Sequence, residues 1–459
     1  MPEPELEEDP PTEEDAPPAE MTQPRPTPLR HSPPSGLYLG EGRDGEPVVV
    51  PTAALNTHVA VVGAAGSGKT WMAKVLAEEA VRNGIPVIAI DPQGDLVQFL
   101  QRRDEREVPP ALLPMYRELA ERVEPRIFTP GSSHGTRLAL DPIRLPHRDD
   151  LAAIEGEARR AEEEDNMIQA VAVNLASLAS ASGDRSSQET FLLQVLRGMK
   201  RREAVDLADV VHHVRDPELS GIDDPTVFIK DSARTNLAMK LTSLVHGTAA
   251  NLFSGGVPLD IDAMLRPSAE GRVPLNVIYL NAMTNDDQKQ FFVASLASEI
   301  YRWMVTSASA EGGRTSFLFY LDEARDYLPA GAKRPMAKEP LLRLFSQGRK
   351  YGVGCLICTQ SPRSVDYNAF GNCSSKVIGR LESAQDVERV SEWFSTEGGA
   401  PSWLKGRKGA DAGSFVARWA GDGDHKKGRS LRGRLLYSAH EGAWSPDRVE
   451  REVREAGGG

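Results

Sequence analysis

Cysteine is nearly missing from this chain: Cys355, Cys358 and Cys373 are the whole supply in 459 residues. Three thiols cannot form the paired framework that staples small secreted domains, so a reducing interior is expected. Long apolar runs are missing too. Nothing approaches the roughly 20 residues that a bilayer-crossing helix needs, which argues against membrane insertion. The N-terminus has no basic-then-apolar export signal, and a cytoplasmic location is the expectation. Nor is there an excess of positive charge. With 54 basic against 66 acidic side chains the formal charge is −12. That argues against a protein that coats nucleic acid with its whole surface, but it leaves room for a local basic loop or a ring lumen.

Large apolar groups are scarce in residues 1–35, where proline and acidic residues dominate. Such a stretch cannot bury enough surface to offset its ordering entropy, so it is expected to be a disordered tail. Beyond it, short apolar runs recur at Val59–Val62, Val87–Ile90, Leu275–Leu280, Phe317–Leu321, Cys355–Cys358 and Lys376–Gly379. Helical patterns separate them. Strands buried on both faces of a parallel sheet look like this, and the alternation predicts an open α/β fold. The expected organisation is a first half of the α/β core at 36–148, a helical insertion at 149–265, a second half at 266–400 and an extension at 401–459. Two further strands are expected in the extension, in "GSFVARW" and "RGRLLYSAH".

Gly63-Ala64-Ala65-Gly66-Ser67-Gly68-Lys69-Thr70 fits G-x-x-x-x-G-K-[ST], between an apolar strand and an amphipathic helix. Glycines are needed here because main-chain N–H groups must turn inward around phosphate oxygens, where side chains would clash. The helix after the loop offers unpaired N–H groups and the positive end of its dipole. Lys69 supplies a point charge for the β- and γ-phosphates, and Thr70 a hydroxyl for Mg²⁺. The cofactor-binding set is therefore Gly63, Ala64, Ala65, Gly66, Ser67, Gly68, Lys69, Thr70 and, next along the helix, Trp71. ATP with Mg²⁺ is the expected occupant.

"SFLFYLDEARDYL" ends a buried strand in Asp322-Glu323. Asp322 suits the metal, and Glu323 suits polarisation of an attacking water, which separates a hydrolase from a kinase or a slow switch. "GVGCLICTQSP" supplies another strand ending in Thr359-Gln360. Gln360 falls beside a γ-phosphate if this strand lies between the other two. Positions three apart on a strand point to opposite faces, so Cys355 and Cys358 read as core thiols rather than metal ligands. His212-His213 lies in a helical pattern with no partner arrangement and reads as a solvated or core pair.

In this order the motifs resemble the HerA-like branch of the HerA–FtsK superfamily of ring-shaped P-loop motors, over about residues 36–394. "LNTHVAVVGAAGSGKT", "VIAIDPQGDL" with its acidic turn at Asp91 and Asp95, "YLDEARDYL", "SQGRKYGVGCLICTQSP" and "KVIGRLESAQDVERV" carry the likeness. It implies a RecA-like P-loop NTPase core, assembly into a hexamer, ATP bound between subunits and DNA threaded through the lumen. Arg349, in the "GRKYG" match, and Arg380 are implied to reach a γ-phosphate in cis or from a neighbouring subunit. The alternative for each is a surface arginine in an ion pair. Lys333 and Arg334 fall where relatives carry a lumen loop and would track a phosphate backbone; a solvated charge cluster is the alternative. Full-length relatives carry an N-terminal β-barrel, whereas "GLYLGEGRDGEPVVVPT" has room for a hairpin only. Two other readings stay open: a related motor that moves protein or serves a conjugation channel, and an ATP-dependent assembly module for a partner effector such as a nuclease.

Overall fold

A computed structural model of the protein describes residues 36–132, 136–146, 151–152, 154–179, 185–199, 205–283, 285–306, 314–394, 411–421 and 428–457. The expected disordered tail, 1–35, lies outside the described residues. In chain order the strands are β1 (Leu37–Glu41), β2 (Pro47–Val50), β3 (Val59–Val62), β4 (Val87–Asp91), β5 (Val123–Phe128), β6 (Leu138–Ala139), β7 (Val257–Pro258), β8 (Val273–Tyr279), β9 (Phe317–Leu321), β10 (Val353–Thr359), β11 (Ser375–Ile378), β12 (Ser414–Arg418) and β13 (Arg429–Gly433). Eleven of them form one sheet, in the order β2-β1-β13-β12-β11-β3-β10-β9-β4-β8-β5. From β11 to β5 every pairing is parallel, and from β11 to β2 every pairing is antiparallel.

The parallel strands are apolar on both faces because helices cover both. In β3, Val59 and Val61 enter the core under the helix Lys69–Arg82, whereas Ala60 and Val62 enter the opposite core, under the helices Asp286–Thr306 and Lys338–Gln347. The thiols obey the same alternation: Cys358 lies in the first core and Cys355 in the second. The helices Glu157–Ala179, Arg185–Met199, Leu207–Arg215 and Asp231–His246 pack around a core of their own. There His213 is buried, with Nδ1 2.7 Å from the Ser220 hydroxyl, and His212 is exposed.

The six apolar runs all appear as strands, and "GLYLGEGRDGEPVVV" forms the β1–β2 hairpin. Two differences stand out. β5, "VEPRIF", carries a proline and is not among the apolar runs; the proline is tolerated because β5 is the edge strand. The last strand falls earlier than "RGRLLYSAH": β13 stops at Gly433, and Arg434 turns into the protein instead.

That arginine fastens three separate parts of the chain together. Its guanidinium donates to Glu78 at 2.8 Å and Glu79 at 2.9 Å on the helix Lys69–Arg82, and to the Tyr38 carbonyl of β1 at 3.2 Å. Glu78 also accepts from the main-chain N–H groups of Tyr437 and Ser438, and Glu79 from that of Tyr38. All three charged side chains are almost completely buried. Removing one member of a buried ion-pair network costs roughly 3–5 kcal/mol, because the charges left behind stay desolvated. Arg434→Ala is therefore expected to lower the thermal midpoint sharply, whereas Arg454→Ala, at an exposed pair with Glu450, should leave it nearly unchanged.

Candidate active site

β10 runs between β3 and β9, in register: Thr359 pairs with Val62, and Ile357 with Leu321. The three strands thus finish at one end of the sheet, and the segment leaving each is delivered to the same place. After β3 comes the glycine-rich loop. A Cβ on Gly63 would sit 2.3 Å from the Ser67 hydroxyl oxygen, and Gly68 caps the helix with φ +89. Both positions demand glycine. Gly63 N–H donates to the Thr359 carbonyl at 3.1 Å, Ala64 N–H to the Arg380 carbonyl at 2.8 Å, and Gly413 N–H to the Ser67 carbonyl at 3.0 Å. Neighbouring strands hold the loop from behind, while Ala65 and Gly66 remain exposed.

Asp322 and Glu323 come directly after β9. Glu323 adopts the left-handed conformation, φ 47 and ψ 57, uncommon for a residue with a side chain and a form of strain found at functional sites. Its Oε2 lies 3.6 Å from Lys69 Nζ and accepts from the Gln360 amide at 3.4 Å. Its Oε1 is buried without a partner, as is the Ser67 hydroxyl. Buried polar atoms are normally satisfied, so this pair marks room for a polar ligand at the loop.

Asp322 is 3 % exposed, with Oδ1 3.4 Å from the Tyr320 hydroxyl that donates to it. Burial raises its carboxyl to about 7; Lys69 opposes the rise, and Asp91, Asp95 and Glu323 add to it. Burial pulls the Lys69 ammonium down, but Asp322, Cys358 and Glu323 outweigh it, and the net shift is upward. The acidic turn after β4 divides its labour. Asp91 accepts main-chain N–H bonds from Gln93, Gly94, Asp95, Leu96 and Val97, so it builds the turn. Asp95 is raised by burial and by Asp91, and Lys74 and Lys69 act against that rise.

The structure therefore brings Lys69, Asp322, Glu323 and Gln360 together at the loop. Arg380 joins them: its guanidinium donates to the Ala65 carbonyl at 2.6 Å. Arg349 is elsewhere. It is exposed ahead of Val353, at the opposite end of β10, and seven strand residues span about 23 Å. It cannot reach its own chain's loop. Lys333 and Arg334 are exposed on the segment after β9, with Arg334 4.0 Å from Glu339. The Trp71 ring turns away: its Nε1–H donates to the Arg434 carbonyl at 2.8 Å, and its plane meets His440 edge-on. Any part Trp71 takes in phosphate binding falls to its main chain. Sequence reasoning marks Asp95 only as part of the acidic turn in "VIAIDPQGDL" and does not single out Tyr320, because an aromatic inside a buried strand carries no signal beyond packing.

A parallel sheet with this loop between β3 and its helix, and an acidic pair two strands away, defines a RecA-like P-loop NTPase fold. Within that class, the family described as "Helicase HerA, central domain" matches residues 37–300, over half of the chain, and the protein belongs to it. The DNA double-strand break repair helicase HerA of Sulfurisphaera tokodaii is 24% identical over 148 residues, 31% of this chain. That match spans 28% of the relative's own length. Among solved structures, VirB4 of Thermoanaerobacter pseudethanolicus superposes with a TM-score of 0.56 at 15% identity, covering 88% of this chain and 98% of its own. The plasmid coupling protein TrwB, in complex with ADP and Mg²⁺, gives 0.56 at 12% identity, covering 86% and 89%. At such identities the likeness is one of fold. Among the described residues no helix is long and apolar enough to cross a membrane.

The raised Asp322 sets a pH dependence. Between about pH 4 and 7 the folded state holds a proton that the unfolded state has released, so this residue's contribution to stability falls as pH rises. Asp322→Asn removes that loss. In nucleotide-free protein the variant should gain steadily on the wild type as pH rises across this window. The gain should level off above pH 7 and vanish near pH 4, as read by thermal midpoints across the range.

Proposed function

We propose that the chain is an ATP-hydrolysing motor that translocates along or remodels DNA, working as a hexameric ring with each nucleotide between two subunits. The observation that carries this reading is the meeting of Lys69, Glu323 and Gln360 over the glycine-rich loop. Main-chain N–H groups of Gly63–Thr70 and the Lys69 ammonium would hold the triphosphate. Thr70 and Asp322 would hold Mg²⁺, whose chemistry is to neutralise phosphate charge and orient the phosphoryl group. Glu323 takes the proton of the attacking water, Gln360 reads the γ-phosphate position, and Arg380 braces the loop in cis. Arg349, too far from its own loop, serves the neighbouring subunit, where a guanidinium stabilises developing charge. Lys333 and Arg334 track the DNA backbone without reading sequence. The core segments 36–148 and 266–400 form the engine, and 149–265 is its helical insertion.

A second reading, a motor serving a conjugation channel or moving protein, draws on VirB4 and TrwB, which match nearly the full length of the chain in fold. Stimulation of ATP turnover by duplex or single-stranded DNA favours the first reading, and its absence the second. Molecular mass in solution with and without ATP and DNA tests the ring. Lys69→Ala should abolish nucleotide binding. Glu323→Gln should bind ATP normally yet release phosphate at least a hundredfold more slowly (about 3 kcal/mol of barrier); wild-type turnover in that variant would remove Glu323 from its role.

A further inference from the structure

His58 stands immediately before β3 with φ 58, left-handed, and is 2 % exposed. A side chain kept in that backbone conformation and buried has work to do. Both ring nitrogens are engaged. Nε2 lies 3.1 Å from the Phe345 carbonyl, and Nδ1 lies 3.0 Å from the Cys355 main-chain N–H. A carbonyl can only accept and an N–H can only donate, so the ring is neutral with its proton on Nε2. Burial, the main effect, lowers its ionisation to about 4, in keeping with that form.

The ring grips one particular segment. Phe345 lies near the end of the helix Lys338–Gln347, and a Cβ on Gly348 would come 3.5 Å from His58 Cε1. Two residues upstream, the Asn56 amide donates to the Arg349 carbonyl at 3.2 Å. The turn that leads into the nucleotide-loop strand therefore holds the main chain on both sides of Gly348, leaving the Arg349 side chain exposed. His58 and Ser67 are joined by β3 and the loop alone.

We propose that His58 is a positioning residue: through its bond to the Phe345 carbonyl it sets the placement of Arg349 toward the neighbouring subunit's nucleotide. This rests on Arg349 acting in trans. It makes β3 a rigid link with the phosphate loop at one end and the arginine's mount at the other.

Two substitutions separate this role from a merely structural one. His58→Asn tolerates the left-handed backbone, and its amide oxygen takes the place of Nδ1, but it cannot reach Phe345. His58→Gln reaches Phe345 with its amide nitrogen, at the expense of the Cys355 bond. Steady-state ATP hydrolysis by the full chain is measured for both, for Arg349→Ala and for the His58→Asn/Arg349→Ala double variant, with thermal midpoints alongside. Misplacing a reacting group by about 1 Å costs up to a hundredfold in rate. The expected result is kcat lowered about ten- to a hundredfold in His58→Asn and in Arg349→Ala, with KM within twofold of wild type. His58→Gln should recover most of that loss, and the double variant should be no slower than Arg349→Ala. A normal kcat in His58→Asn, a slower His58→Gln than His58→Asn, or losses that multiply in the double variant would overturn the inference. A normal kcat in Arg349→Ala would instead remove the trans reading beneath it.

Discussion

Lys69 and Glu323 meet because β3, β10 and β9 finish at the same end of the sheet. An ammonium and a carboxylate separated by 254 positions of chain need their strands in one fixed parallel register. A slip by one residue would move Glu323 by about 3.3 Å and turn alternate side chains to the other face. Register in turn depends on both faces being buried. Ala60 and Val62 belong to one core and Val59 and Val61 to the other, so neither face of β3 has a solvent-facing alternative. Hydrophobic burial fixes the strands, and the strands fix the charges.

The charges gathered there are not at rest with one another. Asp322 lies deep enough to approach neutrality, opposed chiefly by the Lys69 ammonium, with Asp91, Asp95 and Glu323 adding negative potential. Under the proposed function, a divalent cation arriving with a triphosphate would tip Asp322 toward its charged form and free Lys69 from Glu323 for the phosphates. Elsewhere the same chain matches its buried charges: the carboxylates Glu78 and Glu79 meet the guanidinium groups of Arg434 and Arg82, and main-chain groups, at hydrogen-bond distance. The contrast separates charge matched within the fold from charge that the fold leaves only partly opposed.

Local patterns are the ones legible in the sequence. The loop Gly63–Thr70, the Asp322-Glu323 doublet and the strand ending at Gln360 are short patterns whose chemistry comes from residue type and spacing, and the fold class comes from apolar runs between helices. Placement between strands was legible only as a condition on Gln360, met by the order β3-β10-β9. Long-range contacts of ordinary residues were illegible. Nothing in "RGRLLYSAH" announces that Arg434 leaves the sheet for Glu78, since a polar residue in an apolar run is equally at home on an exposed strand face. The direction of the Trp71 ring and the distance of Arg349 from its own loop depend on tertiary geometry in the same way.

Strand order carries a consequence for dissecting the molecule. The family match stops at residue 300, before β9, β10 and β11, yet β10 and β11 are the two strands that flank β3. A fragment cut at that boundary would leave β3 without a neighbour on either side and would separate β4 from β9. The homology segment is thus interleaved with the strands beyond residue 300, like the teeth of a closed zip, and cannot be lifted out as a folding unit.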